Sequence, residues 1–144
     1  MATERQTLSG DAIQSMLGRS AFIRFLNLAV VSVDAEREEV VMRMPMRPEL
    51  ERGPGSGQFH GGPIAAFIDT VGDYVLVMLL GGGVPTINFR VDFLRPAVSA
   101  ALVGTGRLRR AGPTRGGVGA AVPRRHGPPG AGGRRRARAH NNPP

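Results

Sequence analysis

The stretch QFHGGPIAAFIDTVGD, residues 58–73, joins a glycine-rich loop to an apolar helix and organises the rest of the chain. Pro63 suits the first turn of a helix, because it has no N–H to lose there and its φ is already helical. Gly61 and Gly62 let backbone approach closely at the same end. Apolar residues then recur at steps of three and four, which predicts a helix from about residue 63 to 80 whose buried face holds Ile64, Phe67, Ile68, Val71, Val75, Met78 and Leu79.

Two carboxylates interrupt this apolar helix. Asp69 and Asp73 lie one turn apart, on a different face that also holds Ala65 and Gly72. Because that face is small and polar, we expect it to meet another surface closely. Like charges this near can raise the pKa of one carboxyl group, which matters if either group acts as a base.

The segments before this helix predict a short helix followed by a β-hairpin. Ser9 suits the N-cap of a helix that runs through about Leu17. Residues 22–33 are apolar and β-branched, which indicates a strand. Residues 39–46 alternate in polarity, which indicates a half-buried strand with an inner face of Val40, Met42, Met44 and Met46.

The segments after the helix predict two further strands. The triple glycine at residues 81–83 stops the helix. Residues 86–94 alternate, with one face made of Ile87, Phe89, Val91 and Phe93. Residues 102–109 form another strand, which Gly104 and Gly106 could bend over the helix. Since only one helix is strongly apolar, the expected fold class is α+β, with an antiparallel sheet wrapped around one long central helix.

Composition and charge limit the class of protein. The 144 residues allow one domain, and without cysteine neither a disulfide nor a thiolate metal site is available. No leader or membrane-spanning pattern is visible, so we expect a cytoplasmic protein that binds no membrane. The net charge of +8 belongs to residues 112–144, because residues 1–111 are close to neutral. The globular part therefore gives no sign of nucleic-acid binding.

Residues 112–144 form a low-complexity tail rich in Gly, Pro and Arg, in which only Val118 and Val122 could join a core. We expect this tail to be disordered and residues 1–111 to form the domain. The tail could be a basic arm for nucleic acid or acidic partners, or a plain solvated segment. The hypothesis we favour is an out-of-frame C-terminus, because the chain lacks Lys and the tail residues have GC-rich codons. The last strands of the sheet would then be missing or degraded.

Two blocks of the chain, in this order, resemble the PaaI-like acyl-CoA thioesterases of the hotdog fold. The first is His60-Gly61-Gly62, with Asp69 nine positions after the histidine; the second is GVPTINFRVDFLRP, residues 83–96. The resemblance covers about residues 10–111 and implies a curved antiparallel sheet around a central helix. It also implies a homodimer or a dimer of dimers with sites between subunits. The implied substrate is an aryl- or medium-chain acyl-CoA, with no cofactor beyond the coenzyme A of the substrate.

The resemblance also assigns roles to single residues. Asp69 corresponds to the catalytic carboxylate, and the backbone N–H of Gly61 to the oxyanion donor. Thr86 corresponds to a hydroxyl position that helps to hold the water or the carboxylate. His60 either takes part in the chemistry or shapes the turn. The candidate substrate-binding residues are Gly62, Gln58, Asp73, Arg90 and Arg95; Asp73 could equally be an interface residue, and either arginine could simply be solvated.

The residue chemistry agrees with thioester hydrolysis and suggests where the site lies. Hydrolysis needs a base or a carboxylate nucleophile, together with hydrogen-bond donors for the developing oxyanion. A helical stretch of nine residues spans roughly 13 Å, so Asp69 cannot easily serve the Gly61 of its own helix. A partner helix that runs the other way would bring the two together.

One departure from the family supports an alternative function. Relatives often carry Asn or Gln six residues before the histidine, as a donor to the thioester carbonyl. That position here is Pro54, which has no N–H, although Gln58 could substitute. The alternative is a non-catalytic hotdog module that binds acyl-CoA or a protein partner. No spacing typical of metal ligands is visible around the three histidines, so we expect no metal.

Overall fold

The computed structural model describes residues 7–111, 116–121 and 139–140. The described helices are α1 (Gly10–Leu17), α2 (Ala21–Leu26) and α3 (Gly61–Leu80), with a 3₁₀ turn at Pro48–Leu50. The described strands are β1 (Ala29–Asp34), β2 (Glu39–Pro45), β3 (Arg90–Val91), β4 (Ala101–Ala111), β5 (Gly116–Ala121) and β6 (Ala139–His140).

The sheet is antiparallel and packs on one long helix. Its strands are hydrogen-bonded in the order β1-β2-β4-β5. β6 lies beside β5 and pairs with β3. The inner face of β2 is fully buried, as its alternation predicts, and packs with one face of α3; it consists of Val40, Met42 and Met44. This arrangement confirms the predicted α+β fold with a central helix.

Helix α3 begins two residues earlier than the proline pattern predicts. His60 is its N-cap, and it ends at Gly81, whose φ of 77° is left-handed and whose N–H bonds to the Val77 carbonyl at 2.8 Å. Its length and mean hydropathy of 1.7 would also suit a membrane span, a test that core helices pass as well. Here α3 packs against β2, β4 and β5, and it buries Ile64, Phe67, Ile68, Thr70, Val71, Tyr74, Val75, Val77 and Met78.

Two glycines of β4 allow this helix to approach the sheet closely. A Cβ added at Gly106 would lie 2.7 Å from the Val71 carbonyl oxygen, and one added at Gly104 would lie 2.9 Å from the Phe67 ring. Side chains at these two positions would therefore push the helix off the sheet. Close packing, rather than a bend alone, explains the glycines.

The N-terminal segment confirms one prediction and corrects another. Helix α1 is capped as expected, with the Ala12 N–H donating to Ser9 Oγ at 3.2 Å. Residues 22–33, however, are not one strand: α2 occupies their first part and β1 begins at Ala29. Ser20 caps α2, and Asn27 ends it with a left-handed φ of 54°. The caps at both ends stabilise a helix where apolar character alone indicated a strand.

The strand predicted over residues 86–94 is also mostly wrong. Within the described part of the chain, only Arg90–Val91 of this segment pairs, and its partner is β6. The apolar face of the predicted strand is largely exposed, at 70% for Ile87 and 56% for Phe93. Within it, Val91 is half-buried against the core.

The sheet continues past the boundary predicted after residue 111. β5 pairs with β4, and Val118, one of the two tail residues that could join a core, is buried. Residues 116–121 and 139–140 of the tail thus form β5 and β6, so the sheet does not lack all of its last strands. The remaining tail residues, with Val122 and the arginines, lie outside the described residues, and their disorder and reading frame stay predictions.

Candidate active site

The N-terminus of α3 presents one free backbone donor. His60 Nδ1 accepts from the Gly62 N–H at 3.0 Å, and Pro63 has no N–H. The Ile64 N–H donates to the His60 carbonyl at 3.5 Å. Among the described residues, the Gly61 N–H alone in this first turn has no acceptor. Since the helix dipole adds positive potential here, the Gly61 N–H is placed to bind a developing negative charge.

The geometry gives His60 a structural role. To accept a hydrogen bond, its Nδ1 must be unprotonated, which fixes the neutral tautomer with the proton on Nε2. The backbone around it is held from two sides, since the His60 N–H donates to the Leu50 carbonyl and the Phe59 N–H to the Ala97 carbonyl, both at 2.8 Å. The histidine therefore caps the helix and shapes the turn, one of the two roles considered for it.

Asp69 and Thr86 come together near the middle of α3. Thr86 Oγ1 donates to Asp69 Oδ1 at 3.0 Å, although the two residues are 17 positions apart. The chain returns along α3 after the left-handed turn at Gly81, which puts Thr86 beside the carboxylate. This hydrogen bond fixes the direction of the carboxylate on a half-buried helix face. A carboxylate oriented in this way can accept a proton from a water or attack a carbonyl carbon.

Asp73 is the second carboxyl group on this helix, and its environment differs from that of Asp69. Burial, together with the neighbouring negative charge of Asp69, raises the pKa of Asp73 to about 6. Its Oδ1 is buried and has no hydrogen-bond partner in the described part of the chain. The like-charge effect expected from the sequence therefore falls on Asp73, with desolvation as the larger cause.

The two candidate catalytic groups of one chain are far apart. Gly61 and Asp69 lie on the same helix, and eight steps of 1.5 Å separate them by about 12 Å along its axis. A thioester carbonyl cannot reach both groups at once, because its oxygen and carbon are about 1.2 Å apart. Within one chain, the structure brings Thr86 to Asp69 but does not bring Asp69 to Gly61.

The residues predicted to bind substrate are placed as follows. Gln58 is half-buried in the loop before the helix, and its backbone bridges to Val98. The Gly62 N–H is already occupied by His60, which leaves it no free donor for substrate. Arg90 and Arg95 are exposed, and Arg90 forms an ion pair with Asp92 at 2.9 Å.

One residue beside the helix N-terminus was assigned elsewhere by the sequence pattern. The Phe93 ring lies 3.6 Å from where a Cβ on Gly61 would be, and its side chain is largely exposed. Alternation placed it on the apolar face of a strand. Its ring instead forms an apolar wall next to the free Gly61 N–H.

Comparison with known proteins found a family and several relatives that this chain resembles. The family model described as the thioesterase superfamily matches residues 56–128, a range that includes His60, Asp69 and Thr86. A protein of Halobacterium salinarum, named as a candidate esterase, is 37% identical over 90 residues. That alignment covers 59% of this chain and 58% of the relative, so the chain spans less than two thirds of that protein.

Two solved structures are similar across most of the chain. A phenylacetic acid degradation-related protein of Ralstonia eutropha JMP134 has a TM-score of 0.69 and 26% identity, over 87% of this chain and 92% of its own. PaaI of Escherichia coli, from the phenylacetic acid degradation operon, has a TM-score of 0.66 and 19% identity, over 91% of both chains, and shows the fold alone. These likenesses confirm the hotdog fold and the PaaI-like resemblance. Since residues 56–128 are half of the 144, the chain belongs to the thioesterase superfamily.

Proposed function

We propose that this chain is an acyl-CoA thioesterase, which hydrolyses an aryl- or medium-chain acyl-CoA to the free acid and CoA. The observation that carries the proposal is the hydrogen bond from Thr86 to Asp69, which orients a carboxylate in a chain of the thioesterase superfamily. The free N–H of Gly61 supplies the second requirement of the reaction, a donor for the oxyanion.

The reaction needs only these groups and water. Asp69 removes a proton from a water as that water attacks the thioester carbon, and the carbonyl oxygen becomes an oxyanion that accepts from the Gly61 N–H. The C–S bond then breaks, and the CoA thiolate takes up a proton. In the other route Asp69 attacks the carbon itself, CoA leaves, and water hydrolyses the resulting anhydride. A single turnover in ¹⁸O water separates the routes, because only the second places the label on Asp69.

The site is completed by a second copy of the chain. Antiparallel packing of two α3 helices would place Asp69 of the partner subunit near the Gly61 N–H. The exposed apolar side chains of the 86–94 segment support such a contact, and they include Ile87, Phe89 and Phe93. We therefore propose a homodimer, alone or as half of a dimer of dimers, in which each site takes its carboxylate and its oxyanion donor from different chains.

The surroundings of Gly61 suit an apolar acyl group. The Phe93 ring would contact the acyl or aryl part of a substrate whose carbonyl oxygen lies at the Gly61 N–H. Arg95 and Arg90 are the proposed contacts for the phosphates of CoA, with Arg90 already balanced in part by Asp92. Cytoplasmic location and the absence of a further cofactor stay predictions.

The first test is release of free thiol from a panel of aryl- and medium-chain acyl-CoA thioesters. The chain has no cysteine, so the protein adds no thiol background to this assay. Asp69→Asn should lower kcat by about 10²–10⁴-fold, the usual contribution of a positioned base. Asp11→Asn, the same change at an exposed carboxyl group in the first turn of α1, is the matched control and should retain the rate. Unchanged turnover in Asp69→Asn would refute the assignment.

The oxyanion donor and the shared site have their own variants. Gly61→Pro removes the free N–H at a position where proline fits the helix, while Gly61→Ala keeps the N–H and meets only ordinary contacts. We expect a loss of about 10²–10³-fold in the proline variant alone. Mixing Gly61→Pro with Asp69→Asn and allowing subunits to exchange should restore about a quarter of the wild-type rate, because half of the dimers then hold one intact site. No recovery after verified exchange would place both groups within one chain.

A non-catalytic acyl-CoA-binding module is the second candidate. Pro54 is exposed in the loop before α3, at the position where relatives often carry an amide donor. Tight binding of acyl-CoA by the wild type without thiol release would favour this function over hydrolysis.

A further inference from the structure

The loop between the 3₁₀ turn and α3 is folded around the side chain of Glu51. Its Oε2 accepts from the Gly55 N–H at 2.8 Å, and its Oε1 accepts from the Gly57 N–H at 2.9 Å. Gly55 and Gly57 have φ values of 72° and 61°, a left-handed conformation that favours glycine. The carboxylate thus holds the loop at two positions where any residue other than glycine would strain the backbone.

The base of this loop is a short antiparallel bridge. The Arg52 N–H donates to the Gln58 carbonyl at 2.8 Å, and Glu51 faces Phe59 across the bridge. Phe59 is buried, at 2% exposure, and the next residue is the helix cap His60. The loop that the Glu51 carboxylate holds is therefore joined directly, through Phe59 and His60, to the N-terminus of α3.

The tip of the loop has little other support. Pro54, Gly55 and Ser56 are exposed. Apart from the bond to Glu51, their hydrogen bonds within the described residues are local: the Ser56 N–H donates to the Gly53 carbonyl at 3.1 Å, and Ser56 Oγ accepts from the Gln58 N–H at 3.3 Å. Short-range bonds of this kind do not connect the tip to the sheet or to α3.

The carboxylate also decides what the loop does not bind. Successive N–H groups in a glycine-rich turn form a concave site that commonly takes a phosphate or another anion. Here that site is filled by an anion of the chain itself, since both N–H groups point to Glu51. The loop is thus an internal brace, and a CoA phosphate must bind elsewhere.

We propose that Glu51 is a positioning residue for thioester hydrolysis, one that sets the helix N-terminus through the loop. By holding Gly55 and Gly57 it keeps the bridge closed, keeps His60 in the capping position, and aims the free Gly61 N–H at the carbonyl oxygen. The expected effect on kcat rests on the proposed function. The hydrogen bonds by which Glu51 holds the loop do not depend on it.

The test compares Glu51→Gln with wild type and with Glu49→Gln. Glutamine nearly matches glutamate in size, but it has one acceptor oxygen and turns an NH₂ group toward one of the two glycine N–H groups. We expect kcat to fall about 10-fold or more with KM within about 3-fold, because the donor is misaligned while the acyl wall remains. Glu51→Asp keeps both acceptor oxygens and should recover part of the loss. The Glu49 side chain is exposed and forms no hydrogen bond or ion pair with the other described residues, so Glu49→Gln should change neither constant.

Hydrogen exchange separates this proposal from the proposed function and from misfolding. In Glu51→Gln the hydrogen-bonded amides of residues 55–60 should exchange at least about 10-fold faster, while those of residues 64–78 keep their protection. Wild type without turnover would overturn the proposed function, and the exchange result would still test the brace. Faster exchange with an unchanged kcat would reduce Glu51 to a structural residue and refute the positioning role. Unchanged exchange would refute the brace. If the amides of Glu51→Gln lose their protection throughout α3, the variant is misfolded. The exchange and the kinetics of Glu51→Asp are then compared with wild type to test the proposal.

Discussion

Replacing Asp73 with asparagine should stabilise the protein at neutral pH and have little effect in acid. The substitution keeps the size of the side chain and removes a charge that burial and Asp69 both disfavour. The Asp73 Oδ1 is buried and has no hydrogen-bond partner among the described residues. The change to an amide therefore breaks no hydrogen bond of this oxygen within the described part of the chain.

The magnitude follows from the pKa. Burial and the Asp69 charge raise the pKa of Asp73 from 3.8 to about 6. A shift of about two units corresponds to roughly 3 kcal/mol at about 1.4 kcal/mol per unit, and this is an upper bound. Because the carboxyl group is only partly buried, solvent screening lowers the expected penalty to about 1–2 kcal/mol. For a chain of this length, a change of that size in the free energy of unfolding shifts Tm by about 2–8 °C.

The sign of the pH dependence is fixed by the direction of the shift. Between about pH 4 and pH 6 the unfolded chain releases the Asp73 proton while the folded chain still binds it. The unfolded state binds fewer protons in this window, so this group makes the protein less stable as pH rises through it. The penalty is absent below the unfolded pKa and complete above the folded pKa of about 6.

Thermal unfolding at pH 4 and pH 7.5, followed by circular dichroism, measures the effect. Asp73→Asn should raise Tm at pH 7.5 and leave it nearly unchanged at pH 4. Glu36→Gln removes an exposed acid of the β1–β2 turn and should shift Tm little at either pH. If Asp73→Asn lowered Tm at pH 7.5, the reasoning would be wrong: the carboxylate would then have a favourable partner, such as a donor across a subunit contact.

Two further substitutions test the packing and the carboxylate. Gly106→Ala should destabilise the fold by about 1–3 kcal/mol in thermal unfolding, because its Cβ would lie 2.7 Å from the Val71 carbonyl oxygen, whereas Gly53→Ala meets nothing within 4 Å and should be nearly neutral. Equal Tm values for the two would refute the close-packing explanation. Thr86→Val should lower kcat by about 10-fold or more through loss of the bond to Asp69, and Thr86→Ser should retain most of the rate. A fully active valine variant would show that Asp69 does not need this hydroxyl.

The parts of the fold that the sequence predicts well are those in which local chemistry and core packing agree. Alternation identifies β2, the three- and four-residue spacing identifies α3, and Gly81 marks its end. Each of these signals is read within a few residues. The burial of Val118 was only one possibility, because the tail of Gly, Pro and Arg around it indicated disorder.

The errors arise where the deciding contact is not local. Alternation over residues 86–94 shows that the segment has two faces, but it does not show what covers the apolar one. In this chain that face stays exposed at Ile87 and Phe93, as expected for a surface covered by another molecule. The prediction of a strand over residues 22–33 failed for a different reason. Ser20 and Asn27, which cap a helix there, are weak signals beside a run of apolar residues.

The candidate site shows the same division. The pairing of Asp69 with Thr86 spans 17 residues and depends on how the chain returns after α3, so only the family resemblance could predict it. Glu51 was missed altogether. Glu51 lies four residues before Gly55 and six residues before Gly57. This spacing indicates a carboxylate that holds the loop only when both glycines are known to have positive φ.

The helix itself explains why we propose a site shared between two chains. Gly61 and Asp69 are fixed on one continuous helix of 20 residues, packed along its length against the sheet. No loop movement can shorten the distance of about 12 Å between them, because the hydrogen bonds of the helix set its rise per residue. The groups that shape each half are also local to it, with Glu51 and His60 at the N-terminus and Thr86 at the carboxylate. In the proposed mechanism each chain therefore supplies two rigid halves of a site, and a second helix that runs in the opposite direction would join complementary halves.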